Sequence, residues 1–453
     1  MIALDAWFDL RRRGTTVRRE VGAGLTTFLT LSYALFVQPA VLAGAGMDPG
    51  GVLFATCVAS AVACLAMAVL ANSPIALAPA MGHNFFFAFT ICGTLGFTWQ
   101  QGLAANALAG GVLLLLAGTP VRTAILHAIP APVQRGLAAG IGLLIALLGL
   151  QWGNLVVDHP VTLVALGDLR DPVARLSLLG LVVTAVLLAR RVRAAVLLGM
   201  LATAAVGAFG SGVLGAARPL VEGHGVIGAP PAPSTALQLD FAGLFAAPLD
   251  AVVLVVVTLL LLDLFDTTGT LLGVAERAGL LQDGRLPRAG RALSADAIGT
   301  VVGASLGTST VTSYVESAAG VAAGGRTGLT AAVVGVCLLL SLFFTPLVET
   351  IGAGVIVAES PVEVRRYPVI APTLVLVGAL MMGALRGVAW DEPSAAIPAF
   401  LTVLIIPLTF SITDGIAWGM IAASVLALAT GRRAPRLVHG LAAVLLARYV
   451  WLM

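Results

Sequence analysis

The sequence contains no lysine, and its 25 basic residues are all arginines. A chain without lysine has no P-loop lysine to hold nucleotide phosphates and no amine for a Schiff base. ATP-driven transport by this chain alone is therefore not expected. Charge is also scarce, since 10% of the residues are charged and 59% are hydrophobic. Soluble domains average about a quarter charged residues, so this chain is predicted to have lipid as its solvent.

Residues that bind metals or form disulfides are few, with four cysteines and five histidines. No two cysteines form a CxxC pair and none lies close to a histidine, which favours buried core cysteines over disulfides or metal ligands. The chain has no GxSxG and no HExxH motif. We therefore expect no metal, no cofactor and no enzymatic activity. The small net charge of +3 is no reason to expect a nucleic-acid partner.

Long apolar runs recur from Val21 to the C-terminus. Most are about 17 to 25 residues long, enough to cross a hydrocarbon core of about 30 Å, and they predict an all-α polytopic membrane protein with about fourteen transmembrane segments. If the N-terminus is cytoplasmic, the cytoplasmic side of the membrane holds arginines 11–13, Arg18, Arg19 and the RRVR run at 190–193. This positive-inside pattern predicts a multi-pass protein of the cell inner membrane.

A proline-rich connection over 216–241, predicted to be external, separates the chain into halves at 21–215 and 242–430 of about seven spans each. Residues 1–20 are a predicted cytoplasmic segment. Residues 431–453 are predicted to form a further span or an interfacial helix.

Both halves contain a short, polar, Gly/Pro-broken segment at the third position. It reads ALAPAMGHNFFF in the first half and LGTSTVTSYVESAAG in the second. Matching broken helices in two halves of opposite orientation indicate an inverted-repeat transporter, whose substrate binds near the middle of the membrane.

Two carboxylates, Asp263 and Asp266, follow a dozen almost uniformly apolar residues in the eighth span. They stand about 60° apart around a helix and are predicted to share a face. An acid at the centre of a bilayer costs at least about 2.5 kcal/mol, so both are predicted to face the interior, in a substrate or proton pathway. Alternatively, one of them caps a neighbouring helix or pairs with broken backbone. Thr267, the next residue, is a predicted substrate ligand.

Glu316 is a third membrane acid, placed among small and hydroxyl residues that can hydrogen-bond an interrupted helix. It is the leading candidate for both substrate binding and proton coupling. The alternative is a fixed hydrogen bond that holds the break together. Nearby Tyr314 is a predicted aromatic contact of the substrate.

The first broken segment offers an amide beside aromatic rings. Asn84 follows Gly82 and precedes Phe85, and the glycine and a preceding proline interrupt the helix. A planar heterocycle can stack on a ring while an amide and carboxylates contact its edge. His83 is either a proton relay or the start of a half-helix. Two roles stay open for Asp296, in LSADAIGT: a hydrogen bond that packs helices together, or contact with the eighth span.

Several longer stretches together resemble one transporter family. They are GLTTFLTLSYALFVQPAVL, ALAPAMGHNFFFAF, LDLFDTTGTLLGVAERAGLL, the run from DGRLPRAGRALSADAIGT to GGRTGLTA, and IPLTFSITDGIAWG. They resemble the AzgA-like purine permeases of the nucleobase-ascorbate transporter superfamily, also called nucleobase:cation symporter-2. The resemblance covers about residues 20 to 430.

This resemblance implies a fold of about fourteen spans in two inverted seven-span repeats, with short antiparallel strands in spans 3 and 10. A core domain would comprise spans 1–4 and 8–11, and a gate domain spans 5–7 and 12–14. It also implies import of hypoxanthine, guanine and adenine with protons, by a homodimer joined through its gate domains.

Carried over residue by residue, the resemblance implies specific roles. Asp263 and Glu316 match the substrate-binding acids of the eighth and tenth spans, and Asn84 matches the amide of the third span. Gly82 matches the glycine two residues earlier. Asp266 matches the second acid of the eighth span and joins Glu316, Asp263 and His83 as a proton-coupling candidate.

The chain departs from the family where PAMGHNFFF replaces the usual PGMGLNAYF. Three of the changed positions, Ala80, His83 and Phe85, leave the preferred base open to xanthine, uric acid or a substituted purine. The sequence also leaves open an inorganic anion as the cargo of the same fold. A membrane enzyme or receptor without transport activity is a more remote hypothesis.

Overall fold

The structure is a computed structural model and describes residues 5, 7–119, 129–277, 279, 288–358, 364–431 and 435–451. Parts of the predicted terminal segments, at 1–4, 6, 432–434 and 452–453, lie outside the described residues. In chain order the α-helices are α1 Val17–Leu31, α2 Ala34–Ala43, α3 Pro49–Ala66, α4 Met81–Phe85, α5 Trp99–Leu116, α6 Ala131–Trp152, α7 Pro172–Ala189, α8 Ala195–Phe209, α9 Phe241–Ala246, α10 Leu249–Arg277, α11 Ala289–Leu306, α12 Ser317–Ala322, α13 Gly328–Leu340, α14 Thr345–Gly352, α15 Ala371–Met381, α16 Pro393–Thr409, α17 Ile412–Ala429 and α18 Arg436–Trp451. The strands are β1 Leu77–Pro79, β2 Val156–His159, β3 Leu163–Leu166, β4 Val311–Ser313, β5 Val355–Ala358 and β6 Val364–Arg366.

Most of the described chain is helical, and many of its helices are apolar. Within the described residues, seven helical stretches have at least 18 residues and enough hydropathy to cross a membrane. Shorter apolar helices include Ala195–Phe209 and Pro393–Thr409. The prediction of a mostly helical, polytopic membrane protein is therefore confirmed.

The chain forms two compact units. The first comprises residues 1–118 and 152–373, and the second comprises 119–151 and 374–453. Every predicted site residue belongs to the first unit. In the second unit α16 packs along α17, and α18 packs against α17 with the Tyr449 hydroxyl donating to Asp414.

Several apolar runs that the sequence presents as single spans are interrupted helices. The first run breaks at Ser32 and Tyr33, between α1 and α2. The third run becomes β1, the short helix α4 and a π-helical stretch at Phe86–Thr94. Such π-helical turns are frequent at functional sites.

The centre of the first unit is formed by α3, α11 and α13, since α3 packs against both of the others. Gly299 of α11 makes close approach possible, because a Cβ there would lie 2.7 Å from the Cβ of Ala63 and 2.9 Å from Cγ1 of Val311. Gly328 does the same at the start of α13, where a Cβ would lie 2.5 Å from the Ala68 carbonyl oxygen. Small residues of this kind let membrane helices pack backbone to backbone.

Strands β1 and β4 come from the two halves of the chain and pair antiparallel. The register places Leu77 opposite Ser313, Ala78 opposite Thr312 and Pro79 opposite Val311. Each strand precedes a short helix, α4 after β1 and α12 after β4. The pairing gives both interrupted segments backbone hydrogen bonds away from water, where an unpaired group would be costly.

Glu20 of α1 holds the loop before α13. Its fully buried carboxylate accepts hydrogen bonds from the backbone N–H groups of Arg326 and Thr327, at 2.9 and 3.2 Å. The hydroxyl groups of Thr327 and Thr330 also donate to it, at 2.9 and 2.6 Å. Four donors on one buried carboxylate hold α1 against the start of α13.

Glu20→Ala is expected to lower the free energy of unfolding by about 2–4 kcal/mol, because it leaves several buried donors unpaired. Thermal unfolding of the purified protein in detergent measures this. Glu222→Ala is the matched control, since Glu222 is exposed. Equal melting temperatures for the two variants would contradict the role of Glu20.

Candidate functional site

The paired strands β1 and β4 bring the two broken segments of the sequence side by side. Beyond the ladder, the Ala80 N–H donates to the Thr310 carbonyl and the Tyr314 N–H donates to the Ala76 carbonyl, both at 2.9 Å. The Tyr314 hydroxyl donates to the Pro79 carbonyl at 2.5 Å. Tyr314, predicted as a substrate contact, is thus engaged with the backbone and 5% exposed.

Asp263 of α10 and Asp296 of α11 form a buried carboxyl pair beside β4. Both side chains are at most 2% exposed, and Oδ2 of Asp296 has no hydrogen-bond partner within the described residues. The Thr267 hydroxyl lies between them, 2.7 Å from Oδ1 of Asp296 and 3.4 Å from Oδ1 of Asp263, and it contacts the Thr312 hydroxyl. The Thr300 hydroxyl donates to Oδ2 of Asp263 at 3.3 Å. Thr267, predicted as a substrate ligand, bridges the acids.

Asp266 has a different environment from Asp263, although the two stand on one helix. Asp263 is buried, whereas Asp266 is exposed on α10. Asp266 is close enough to Glu316 for their charges to interact. A charged group inside a membrane protein normally faces a water-filled cavity rather than lipid. Of these two acids on α10, Asp266 is thus the accessible one.

Glu316 stands at the break that follows β4, at the start of α12. Its side chain is partly exposed, and its Oε1 accepts a hydrogen bond of 2.8 Å from the Tyr33 hydroxyl. Tyr33 itself lies at the break between α1 and α2 and is 3% exposed. Two interrupted helices thus meet at the carboxyl group of Glu316.

Asn84 lies in a fully buried hydrogen-bond network. Its Nδ2 donates to Oε1 of Gln38, and its Oδ1 accepts from the Ser309 hydroxyl. Gln38 also donates to the hydroxyl of Thr308 at 2.9 Å and to that of Ser309 at 3.2 Å. The network connects α2, α4 and the approach to β4. Both ends of the Asn84 amide are therefore occupied by protein partners.

The other predicted residues of the first broken segment are packed within the unit. The Phe85 ring is 1% exposed, stacks on Phe89 with centroids 6.0 Å apart, and lies 6.4 Å from the ring of Trp152. Gly82 is partly exposed at the second position of α4. His83 is 2% exposed, and its Nε2 has no hydrogen-bond partner within the described residues.

Sequence reasoning missed three residues of this arrangement. Tyr33 and Gln38 stand in the first apolar run, and Thr300 stands in α11. A polar side chain inside an apolar span is the signal that points to each of them. The contact of Asp296 with the eighth span, left open by the sequence, is present in the structure.

The acids of the site carry no countercharge in the described part of the chain. Asp5 and Arg11 form the ion pair found there, near the N-terminus. Nor do three His, Cys, Asp or Glu side chains come together as metal ligands within the described ranges. The arrangement therefore offers hydrogen-bond acceptors and proton-accepting groups, which suit a ligand rich in N–H donors or a proton.

Comparison with known proteins identifies the group to which the chain belongs. Residues 18–418 match the Permease family. The adenine permease AdeP of Escherichia coli is 41% identical over 95% of this chain and 91% of its own length. The guanine/hypoxanthine permease PbuO of Bacillus subtilis is 40% identical over 94% of this chain and 95% of its own length.

The fold is also similar to that of more distant transporters. The transmembrane domain of the cyanobacterial bicarbonate transporter BicA has a TM-score of 0.62 at 14% identity, over 90% of this chain and 97% of that domain. At this identity the similarity concerns the fold alone. The resemblance to nucleobase-ascorbate transporters is confirmed by the sequence relatives, whose family consists of transporters rather than enzymes. The chain belongs to the Permease family, as a multi-pass membrane transporter of the nucleobase-ascorbate group.

Proposed function

We propose that this protein imports purine bases together with protons. One observation carries the proposal: carboxyl groups without countercharge gather around the paired strands β1 and β4, in a chain about 40% identical to purine permeases over nearly its whole length. A site of this kind suits a neutral ligand whose edge carries N–H donors. A purine base is such a ligand.

Glu316 and Asp266 are the acids best placed to meet a ligand. Asp266 is exposed and Glu316 partly so. A carboxylate can accept hydrogen bonds from ring N–H and exocyclic amino groups of a base, and such charge-assisted bonds are short and strong. In this proposal Asp263 and Thr267 are buried and support the accessible acids. Asn84, Gly82, Phe85 and Tyr314 shape its wall.

Proton coupling is proposed for the buried carboxyl pair formed by Asp263 and Asp296. Two buried carboxyl groups in contact hold one proton between them, because two like charges side by side are strongly unfavourable. Asp263 and Asp296 are both buried and are bridged by the Thr267 hydroxyl, which also contacts Thr312 of β4. Loading the pair with a proton and releasing it would bias movement of the unit that holds the base. Glu316, Asp266 and His83 are further proposed members of this pathway.

An inorganic anion is the competing cargo, since the structural neighbours include a bicarbonate transporter. A carboxylate-rich site repels anions unless a nearby cation offsets its charge. Within the described residues the site acids form no ion pair with an arginine. We therefore favour a neutral base.

The finer architecture forms part of the proposal. A short strand followed by a short helix occurs in each half, β1–α4 and β4–α12, which supports two inverted seven-span repeats and about fourteen spans. Strands β1 and β4 would then belong to spans 3 and 10, within a core domain that moves against a gate domain. We further propose an inner-membrane location, a cytoplasmic N-terminus and a homodimer joined through the gate domains.

Uptake by proteoliposomes tests the function directly. Radiolabelled adenine, guanine, hypoxanthine, xanthine and uric acid are offered with and without an imposed pH gradient, beside bicarbonate and sulfate. Accumulation of a base that depends on the gradient is expected. Anion flux without base uptake would overturn the proposal.

Glu316→Gln is expected to reduce gradient-driven base accumulation at least about tenfold, because the amide keeps the shape of the side chain and loses its charge and proton. Uptake and the amount of protein in the membrane are measured together. Glu349→Gln is the matched control, since Glu349 is exposed on α14. Undiminished accumulation by the Glu316 variant would refute its role.

Asp296→Asn is expected to separate base exchange from proton coupling. The amide still accepts from Thr267 but cannot pass a proton to Asp263, so exchange of labelled for unlabelled base continues while gradient-driven accumulation falls about tenfold. Proton entry is followed with a pH-sensitive dye inside the liposomes. Asp250→Asn, an exposed change on α10, is the control. Full coupling in the Asp296 variant would contradict the carboxyl-pair assignment.

A further inference from the structure

The break in the first apolar run has a specific counterpart in the site. Tyr33 lies between α1 and α2, where the helix is interrupted for two residues and the N–H groups of Leu35 and Phe36 donate to Ser32 and Tyr33 carbonyls at 3.1 Å. An uninterrupted helix would satisfy its backbone with regular bonds four residues apart. The break lies at the residue whose hydroxyl donates to Glu316.

Two contacts from this segment fix the position of Glu316. The Tyr33 hydroxyl donates to Oε1 at 2.8 Å, and the Thr30 hydroxyl lies 3.5 Å from the Glu316 backbone carbonyl. Tyr33 is 3% exposed, whereas Glu316 is partly exposed. The donor is thus buried, and the residue whose carboxyl group it binds is partly exposed.

We propose that Tyr33 is a positioning residue for substrate recognition. It binds one oxygen of Glu316 and so orients the carboxyl group toward the base, an inference that rests on the proposed function. A glutamate side chain has three rotatable bonds, and fixing them before binding avoids an entropy cost when the base arrives. A buried hydroxyl with its partner already in place costs no rearrangement during transport.

The remaining groups near Tyr33 are consistent with this role. Tyr314 and Asp266 are the other titratable groups near Tyr33, besides Glu316. The Tyr314 hydroxyl is committed to the Pro79 carbonyl. Asp266 has no donor of its own in the described hydrogen bonds. Tyr33 is therefore the side-chain donor that the structure assigns to Glu316.

Tyr33→Phe tests the inference, because it removes one oxygen atom and keeps the ring that fills the break. The KM for the base is expected to rise about tenfold, as for loss of one hydrogen bond to a charged group, while the maximal rate stays within about twofold. A role confined to folding would lower the maximal rate through loss of functional protein and leave KM unchanged. Whether KM or the maximal rate changes therefore distinguishes these two roles.

Tyr449→Phe is the matched control, since it removes another tyrosine hydroxyl that donates to a carboxylate, at Asp414 in the second unit. Its KM for the base is expected to equal that of the wild type. An unchanged KM in the Tyr33 variant, or an equal rise in both variants, would overturn the inference. If the wild-type protein takes up no purine base, the proposed function fails instead, so the two failures are distinguishable.

Discussion

The structure depends on one constraint, which is that backbone and side-chain polar groups inside a membrane must find partners within the protein. Two segments from opposite halves of the chain cannot continue as helices, and each would leave N–H and carbonyl groups unpaired. The antiparallel pairing of β1 with β4 satisfies both at once. Gly299 permits it by letting α11 approach Val311 of β4. The ladder holds the two broken segments of the site side by side.

The acids of the first unit fall into two environments because of where they stand around the ladder. Asp263 and Asp296 are buried and are bridged by the Thr267 hydroxyl. Asp266 and Glu316 lie where the surface is accessible. Under the proposed function, this separation would let the accessible carboxyls recognise the base while the buried pair responds to protons.

Interrupted helices recur around the site and each supplies a particular contact. The break at Tyr33 directs a hydroxyl to Glu316, and the helix start after β1 directs Asn84 into the network with Gln38 and Ser309. A continuous helix directs side chains outward at regular intervals, whereas a break lets one residue leave that pattern. The polar network around Asn84 is fully satisfied within protein, which rigidifies the wall of the site.

The family and the membrane class could be predicted from short stretches of the sequence. Apolar run length, scarce charge and the carboxylates within those runs depend on no distant contact, so the sequence alone determined a polytopic membrane protein and indicated which acids lie within its apolar runs. The sequence placed Asp263 and Asp266 on one face, but only packing decided that the first is buried against Asp296 and the second exposed. The sequence did not predict the break at Tyr33 either, because that break also depends on packing. Ser32 and Tyr33 are compatible with a helix, and the hydrogen bond to Glu316, 283 residues away, exists only in the folded chain.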